Sequence, residues 1–141
     1  MNKKILLVED DDFIRDMYVE EFTRSGFTVS AFNTGEKGLE AMKAELFDLV
    51  VLDIMLPGIN GLEVLKLIKQ DPTFKSLKVI LLTNLGQETI IQQGFKLGAI
   101  GYLIKSAYNP DQIVNEIRGF IEDKPADHTT AKKPELTRKT S

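Results

Sequence analysis

The stretch Ile5-Leu6-Leu7-Val8-Glu9-Asp10-Asp11-Asp12 constrains this chain more than any other. A short apolar run with no polar helical face reads as a buried strand. Four carboxylates follow it without a break. Crowded acids repel one another, so they must bind protons, stay in water, or hold a cation. Three later apolar runs also end on polar residues. Leu49 to Leu52 runs into Asp53, Val79 to Leu82 into Thr83, and Ile100 to Ile104 into Lys105. In a parallel sheet these four strand ends share one edge, and that edge is where open α/β sheets hold ligands.

The intervening segments supply the helices. Residues 12–25 carry Ile14, Met17 or Tyr18, and Phe22 at helical spacing, and Gly26 stops them. Phe27 to Ala31 alternates and suits a more exposed strand. Residues 34–45 read as helix with Leu39 and Met42 inward, although Gly35 and Gly38 weaken it. Asp48 to Leu52 is the most buried-looking strand. A loop with Pro57, Gly58 and Asn60 leads to a helix over Gly61 to Gln70, which carries Leu62, Leu65 and Ile68 and stops before Pro72. Leu77 to Leu82 is strand. Gln87 to Leu97 is helix, anchored by Ile90, Ile91 and Phe95 and ended by Gly98. Pro110 opens the last helix, which runs to Glu122 with a stripe of Ile113, Ile117 and Phe120 or Ile121. Five strands alternating with five helices give an α/β, doubly wound parallel sheet covered on both faces.

Composition narrows the function. The chain has no cysteine, which rules out thiolate metal sites, and its one histidine, His128, lies in a polar tail, which argues against histidine metal ligation and a Ser-His-Asp triad. A net charge of −3 is a poor footprint for direct nucleic-acid binding. No apolar run approaches the roughly 20 residues of a membrane helix, and the start is not a signal peptide. The sequence reads as soluble and cytoplasmic. Residues 123–141 are rich in Lys, Thr and Pro, with Leu136 their only large apolar residue. They are expected to form a disordered polar tail behind one domain over residues 1–122.

The acid pair, Asp53, Thr83 and Lys105 on successive strand ends, with Leu56-Pro57-Gly58 after the Asp, make the chain resemble the receiver domain of two-component response regulators over residues 3 to 122. The resemblance implies a flavodoxin-like (βα)5 fold with strand order 2-1-3-4-5, of the stand-alone, single-domain type. It makes Asp53 the phosphoacceptor. Glu9, Asp10, Asp53 and the Met55 backbone carbonyl would hold Mg2+, whose preference is for hard oxygen ligands. Asp11 and Asp12 are left to cap the first helix and face its positive end. Thr83 and Lys105 would contact the phosphoryl group, Thr83 and Tyr102 would form the switch, and Asn84 and Met55 would line the pocket rim. A sensor histidine kinase or histidine phosphotransfer protein would be the donor. A downstream protein would read the surface of the fourth helix, last strand and last helix. The protein would be a monomer or weak dimer and a phosphoacceptor, not an enzyme.

Two positions depart from the family pattern. Asn84 stands where a small residue usually follows the Thr, and Ser106 stands where Pro usually follows the Lys, often cis. A cis bond before Ser costs about 2.5–4 kcal/mol, against under about 1 before Pro, and a trans bond here would loosen the placement of Lys105. Other functions compete. A metal-dependent phosphatase with an Asp nucleophile needs an acid where Met55 stands. A flavin carrier needs a phosphate-binding loop where the four acids stand. A receiver-like scaffold or phosphorelay intermediate without a phosphorylation-driven output is the remaining alternative.

Overall fold

The computed structural model describes residues 2–84 and 88–122. Its elements run β1 (Lys4–Val8), α1 (Asp12–Arg24), β2 (Thr28–Phe32), α2 (Gly35–Ala44), β3 (Leu49–Asp53), α3 (Gly61–Gln70), β4 (Lys78–Thr83), α4 (Glu88–Lys96), β5 (Gly101–Ile104) and α5 (Pro110–Glu122). A 3-10 turn, Lys105–Ala107, follows β5. All strand pairs are parallel, in the order β2-β1-β3-β4-β5. The expected elements therefore stand, with ends moved by a residue or two. Gln87, placed by sequence in the fourth helix, and the polar tail lie outside the described residues.

Strand alternation divides the core into two layers. Leu6, Val8, Val50, Leu52, Val79 and Leu81 face α2, α3 and α4 through Met42, Leu65, Ile68 and Ile91. Ile5, Leu7, Val51, Ile80 and Leu82 face α1 and α5 through Tyr18, Phe22, Ile113, Ile117 and Phe120. Burial on both faces explains why the central strands read as unbroken apolar runs. The edge strand β2 is the more exposed strand expected: Thr28 is exposed and Val29 to Phe32 are half-buried, Val29 and Ala31 packing on one layer and Phe32 on the other. With a neighbour on one side only, neither of its faces is fully covered.

Helix α2 explains its own glycines. A Cβ on Gly38 would lie 2.8 Å from Val8 Cγ2, and one on Gly35 would run into Val64. The residues that weaken the helix in isolation let it sit close to β1 and α3, and tertiary packing outweighs their low propensity. Thr34 caps the helix, its hydroxyl accepting from the Lys37 amide at 3.1 Å. Among the described residues no helix is long and apolar enough to cross a membrane.

Candidate functional site

Register brings the polar strand ends together. Val8 pairs with Leu52, Asp53 with Leu82 and Thr83 with Ile104, so Glu9, Asp53, Thr83 and Lys105 share the carboxyl edge of the sheet. Glu9, Asp53 and Thr83 are the buried polar side chains among the described residues, at 0%, 2% and 1% exposure. Burying ionisable groups is costly unless they are paired. Here one ammonium serves two acids. Lys105 Nζ donates to Asp53 Oδ2 and to Glu9 Oε1, both at 2.9 Å. The remaining oxygens take backbone donors: Asp53 Oδ1 accepts from the Met55 amide and Glu9 Oε2 from the Asp11 amide, each at 3.1 Å.

The electrostatics follow from this crowding. Burial, with the nearby Asp53 charge, pushes the Glu9 carboxyl up to about 6, against the pull of Lys105 and the Asp11 amide. Burial alone would lower Lys105, but hydrogen bonds and attraction from the two carboxylates outweigh it and raise the ammonium above its ordinary value.

Asp10 is exposed, yet its carboxylate joins those of Glu9 and Asp53, one oxygen from each lying within 4.8 Å of the others. Three ionised carboxylates against one ammonium leave negative charge uncompensated. An all-oxygen donor set with surplus negative charge fits a hard divalent cation such as Mg2+. Asp11 and Asp12 are used elsewhere, Asp11 as the expected cap and Asp12 in an ion pair that the sequence did not suggest. Asp11 Oδ1 caps α1 by accepting from the Ile14 amide at 2.9 Å, and Asp12 pairs with Arg15 at 2.6 Å.

The approach of α3 shapes the far wall. Gly61 is its first residue, and a Cβ there would collide with the Asp53 carbonyl oxygen and stand 2.7 Å from Ile54 Cα. The Gly61 amide donates to the Ile54 carbonyl at 2.8 Å, and Asn60 caps the helix through the Glu63 amide at 3.0 Å. Before it, Gly58 takes φ +72°, a turn conformation that glycine adopts without strain. Met55 and Asn84, the residues two after Asp53 and one after Thr83, are exposed. Tyr102 is buried, its ring edge-on to Phe95 of α4 at 5.7 Å between centroids. The Lys105–Ser106 bond is trans.

Comparison with known proteins agrees with this geometry. The sequence profile of the response regulator receiver domain matches residues 5–118. The chain belongs to the response regulator receiver family. It is similar to the sporulation initiation phosphotransferase F of Bacillus subtilis, with 32% identity over 86% of this chain and 95% of that one. It is also similar to the transcriptional activator protein PfeR of Pseudomonas aeruginosa, with 43% identity over 72% of this chain and 32% of that protein. The beryllium-fluoride-activated receiver domain of DrrB, from Thermotoga maritima, superposes with a TM-score of 0.75 at 37% identity, covering 86% of this chain and 99% of that one. The chain spans 32–58% of the length of three curated transcriptional regulators that it matches.

Two residues of this receiver domain escaped the sequence reading. Helical spacing marks Tyr18 only as a member of a core stripe. It is buried on α1 and within the field of the site. Burial pushes its hydroxyl up to about 12, with Lys105 pulling down and Glu9 and Asp53 pushing up. A tyrosine in an apolar stripe is the one available hint, since its ring packs while its hydroxyl needs a polar setting. Arg15 gave no hint beyond its spacing from Asp12. Its guanidinium donates to the Glu9 carbonyl oxygen at 2.9 Å, a contact with a backbone atom six residues back.

Proposed function

We propose that this receiver domain accepts a phosphoryl group on Asp53 from the phosphohistidine of a sensor histidine kinase or histidine phosphotransfer protein, in the cytoplasm. The observation that supports this best is the Lys105 ammonium placed on Asp53 at the open edge of the sheet. A carboxylate oxygen of Asp53 attacks phosphorus as the phosphorus–nitrogen bond of the donor breaks. The imidazole leaves with the bonding pair and is protonated from solvent. Nucleophile and leaving group lie roughly in line, and negative charge spreads over the three equatorial oxygens. When held by Glu9, Asp10, Asp53 and the Met55 carbonyl, Mg2+ supplies positive charge that screens Asp53 from the incoming anion.

Lys105 then exchanges one anion for another. Its ammonium leaves the Asp53 carboxylate for a phosphoryl oxygen, acting as a mobile point charge. Thr83, at the end of β4, offers its hydroxyl to a second oxygen. Movement of Thr83 toward the phosphoryl group changes the room behind it, and Tyr102, packed on Phe95, carries that change to α4. The output is a protein partner at the α4–β5–α5 face, selected by a two-state shift. The chain thus acts as a phosphoacceptor and switch, not as an enzyme on a separate substrate.

Incubation with a small acyl phosphate and Mg2+, followed by intact mass, tests this. One added phosphoryl mass is expected, lost in Asp53→Asn and in the absence of Mg2+. An unmodified wild type, or an Asp53→Asn protein that is still labelled, would overturn the assignment and favour an unphosphorylated scaffold.

A further inference from the structure

We propose that Arg15 is a positioning residue for the cation site: it fixes the peptide that aims Asp10 and keeps Asp12 out of the site. The proposal rests on the reading of Glu9, Asp10 and Asp53 as the metal-holding set. Asp10 is the exposed member of that set, and its neighbours on both sides are held. On its C-terminal side, the Asp11 amide donates to Glu9 Oε2 at 3.1 Å while the Asp11 side chain caps α1. On its N-terminal side, the Glu9 amide donates to the Phe32 carbonyl at 3.0 Å. The Glu9 carbonyl, which belongs to the Glu9–Asp10 peptide, accepts from Arg15 Nη1 at 2.9 Å. That last bond sets the plane of the peptide from which Asp10 departs. Without it the peptide can rotate, and the Asp10 carboxylate leaves the 4.8 Å cluster.

The other arm of the guanidinium does separate work. Arg15 Nη2 donates to Asp12 Oδ1 at 2.6 Å, so Asp12, the next acid after the helix-capping Asp11, is already engaged. The guanidinium spans the carbonyl and the carboxylate with two nitrogens in fixed relation. An ammonium has no such fork. The Arg15 side chain is 18% exposed, so it is held against the protein rather than free in solvent.

The sign of one measurement separates positioning from simple charge. Removing a cation beside a dication site should strengthen metal binding if Arg15 acts only through its charge. Loss of positioning weakens it. Mn2+ binding to the full chain, followed by the loss of the free-ion electron paramagnetic resonance signal, reads this directly. Arg15→Ala is expected to weaken Mn2+ binding about tenfold, the scale of lost outer contacts at metal sites. Arg15→Lys is expected to weaken it too, although the charge is kept. Tighter binding in Arg15→Ala, or unchanged binding in both variants, would overturn the proposal. A second readout is independent of metal. In the metal-free protein, nitrogen-15 relaxation of the Asp10 and Asp11 amides should show added motion in Arg15→Ala, with the remaining domain unchanged. Equal order in both proteins would also overturn it. A wild type that binds no Mn2+ would instead sink the metal reading of Glu9, Asp10 and Asp53, leaving the relaxation result to judge Arg15. Global unfolding of Arg15→Ala, seen as lost shift dispersion, would mean a general structural role and would count against the proposal.

Discussion

Lys105 donates to Asp53 and to Glu9 at the same 2.9 Å, across 52 and 96 residues of chain. One flexible side chain beyond the last strand thus serves two buried acids at the ends of two different strands. Its Nζ is the natural reporter of whatever binds Asp53, because any new anion there competes for the same three protons.

Lys105→Ala is therefore expected to have two separable effects. In the metal-free protein two buried acids lose their counter-charge, and unfolding free energy at pH 7 should fall by about 2–3 kcal/mol. Mg2+ should restore part of that loss. Labelling by an acyl phosphate should persist at a reduced rate, since the nucleophile remains. With beryllium fluoride as phosphoryl mimic, NMR shifts in the wild type should spread from Thr83 to Tyr102 and α4. In Lys105→Ala they should stay near Asp53, because the differential affinity that drives the shift has shrunk. Equally far-reaching shifts in both proteins would remove Lys105 from the switch.

Glu9 sets a pH dependence. Its folded value of about 6 lies above the ordinary 4.5, so between these the native state holds more proton than the unfolded chain. Stability of the metal-free protein should therefore be fullest below about pH 4.5 as far as Glu9 is concerned, and fall as pH rises to 6. The loss is on the order of 1–2 kcal/mol. Glu9→Gln should flatten that segment of a denaturation-against-pH curve. A slope unchanged by the substitution would show that another group carries it.

Gly61→Ala should damage the site from behind. The added Cβ has no room between the Asp53 carbonyl and Ile54 Cα, so α3 must retreat or the strand end must bend. A loss of about 2–4 kcal/mol is expected from overpacking against backbone, with a lower rate of acyl phosphate labelling. Wild-type stability in this variant would mean that the loop between β3 and α3 yields easily.

The acids should rank by position. Asp10→Asn should weaken Mg2+ binding several-fold, while Asp12→Asn, whose side chain pairs with Arg15, should weaken it less. Isothermal titration on the two variants decides the order, and a reversed order would reassign the pair.

The strand ends were legible in the sequence because strands buried on both faces leave an unbroken apolar run, and the first polar residue after each run marks the edge. Asp11 was legible because capping is a local signal. Long-range steric demands were not. Gly35 and Gly38 looked like defects of a helix until Val64 and Val8 were seen against them. Val64 and Val114 join the core beside the residues that helical spacing picked out. The contact of Arg15 with a carbonyl oxygen leaves no trace in residue types, since every residue has that carbonyl. The isomer of the Lys105–Ser106 bond was not legible in the sequence; it is trans, and Lys105 is held by its two carboxylates.

The 96-residue span of the Lys105–Glu9 bond has a consequence for synthesis. A chain emerging from its N-terminus presents Glu9 and Asp53 long before Lys105 exists. Until β5 docks beside β4, the two acids have no ammonium and must stay hydrated or protonated. Closure of the sheet and arrival of the shared ammonium are then the same event. Non-local pairing of this kind arrives late because the entropy of a long loop must be met first. A ribosome-bound intermediate would carry both acids without the residue that answers them, so under the proposed mechanism the site is complete only once the last strand is in place.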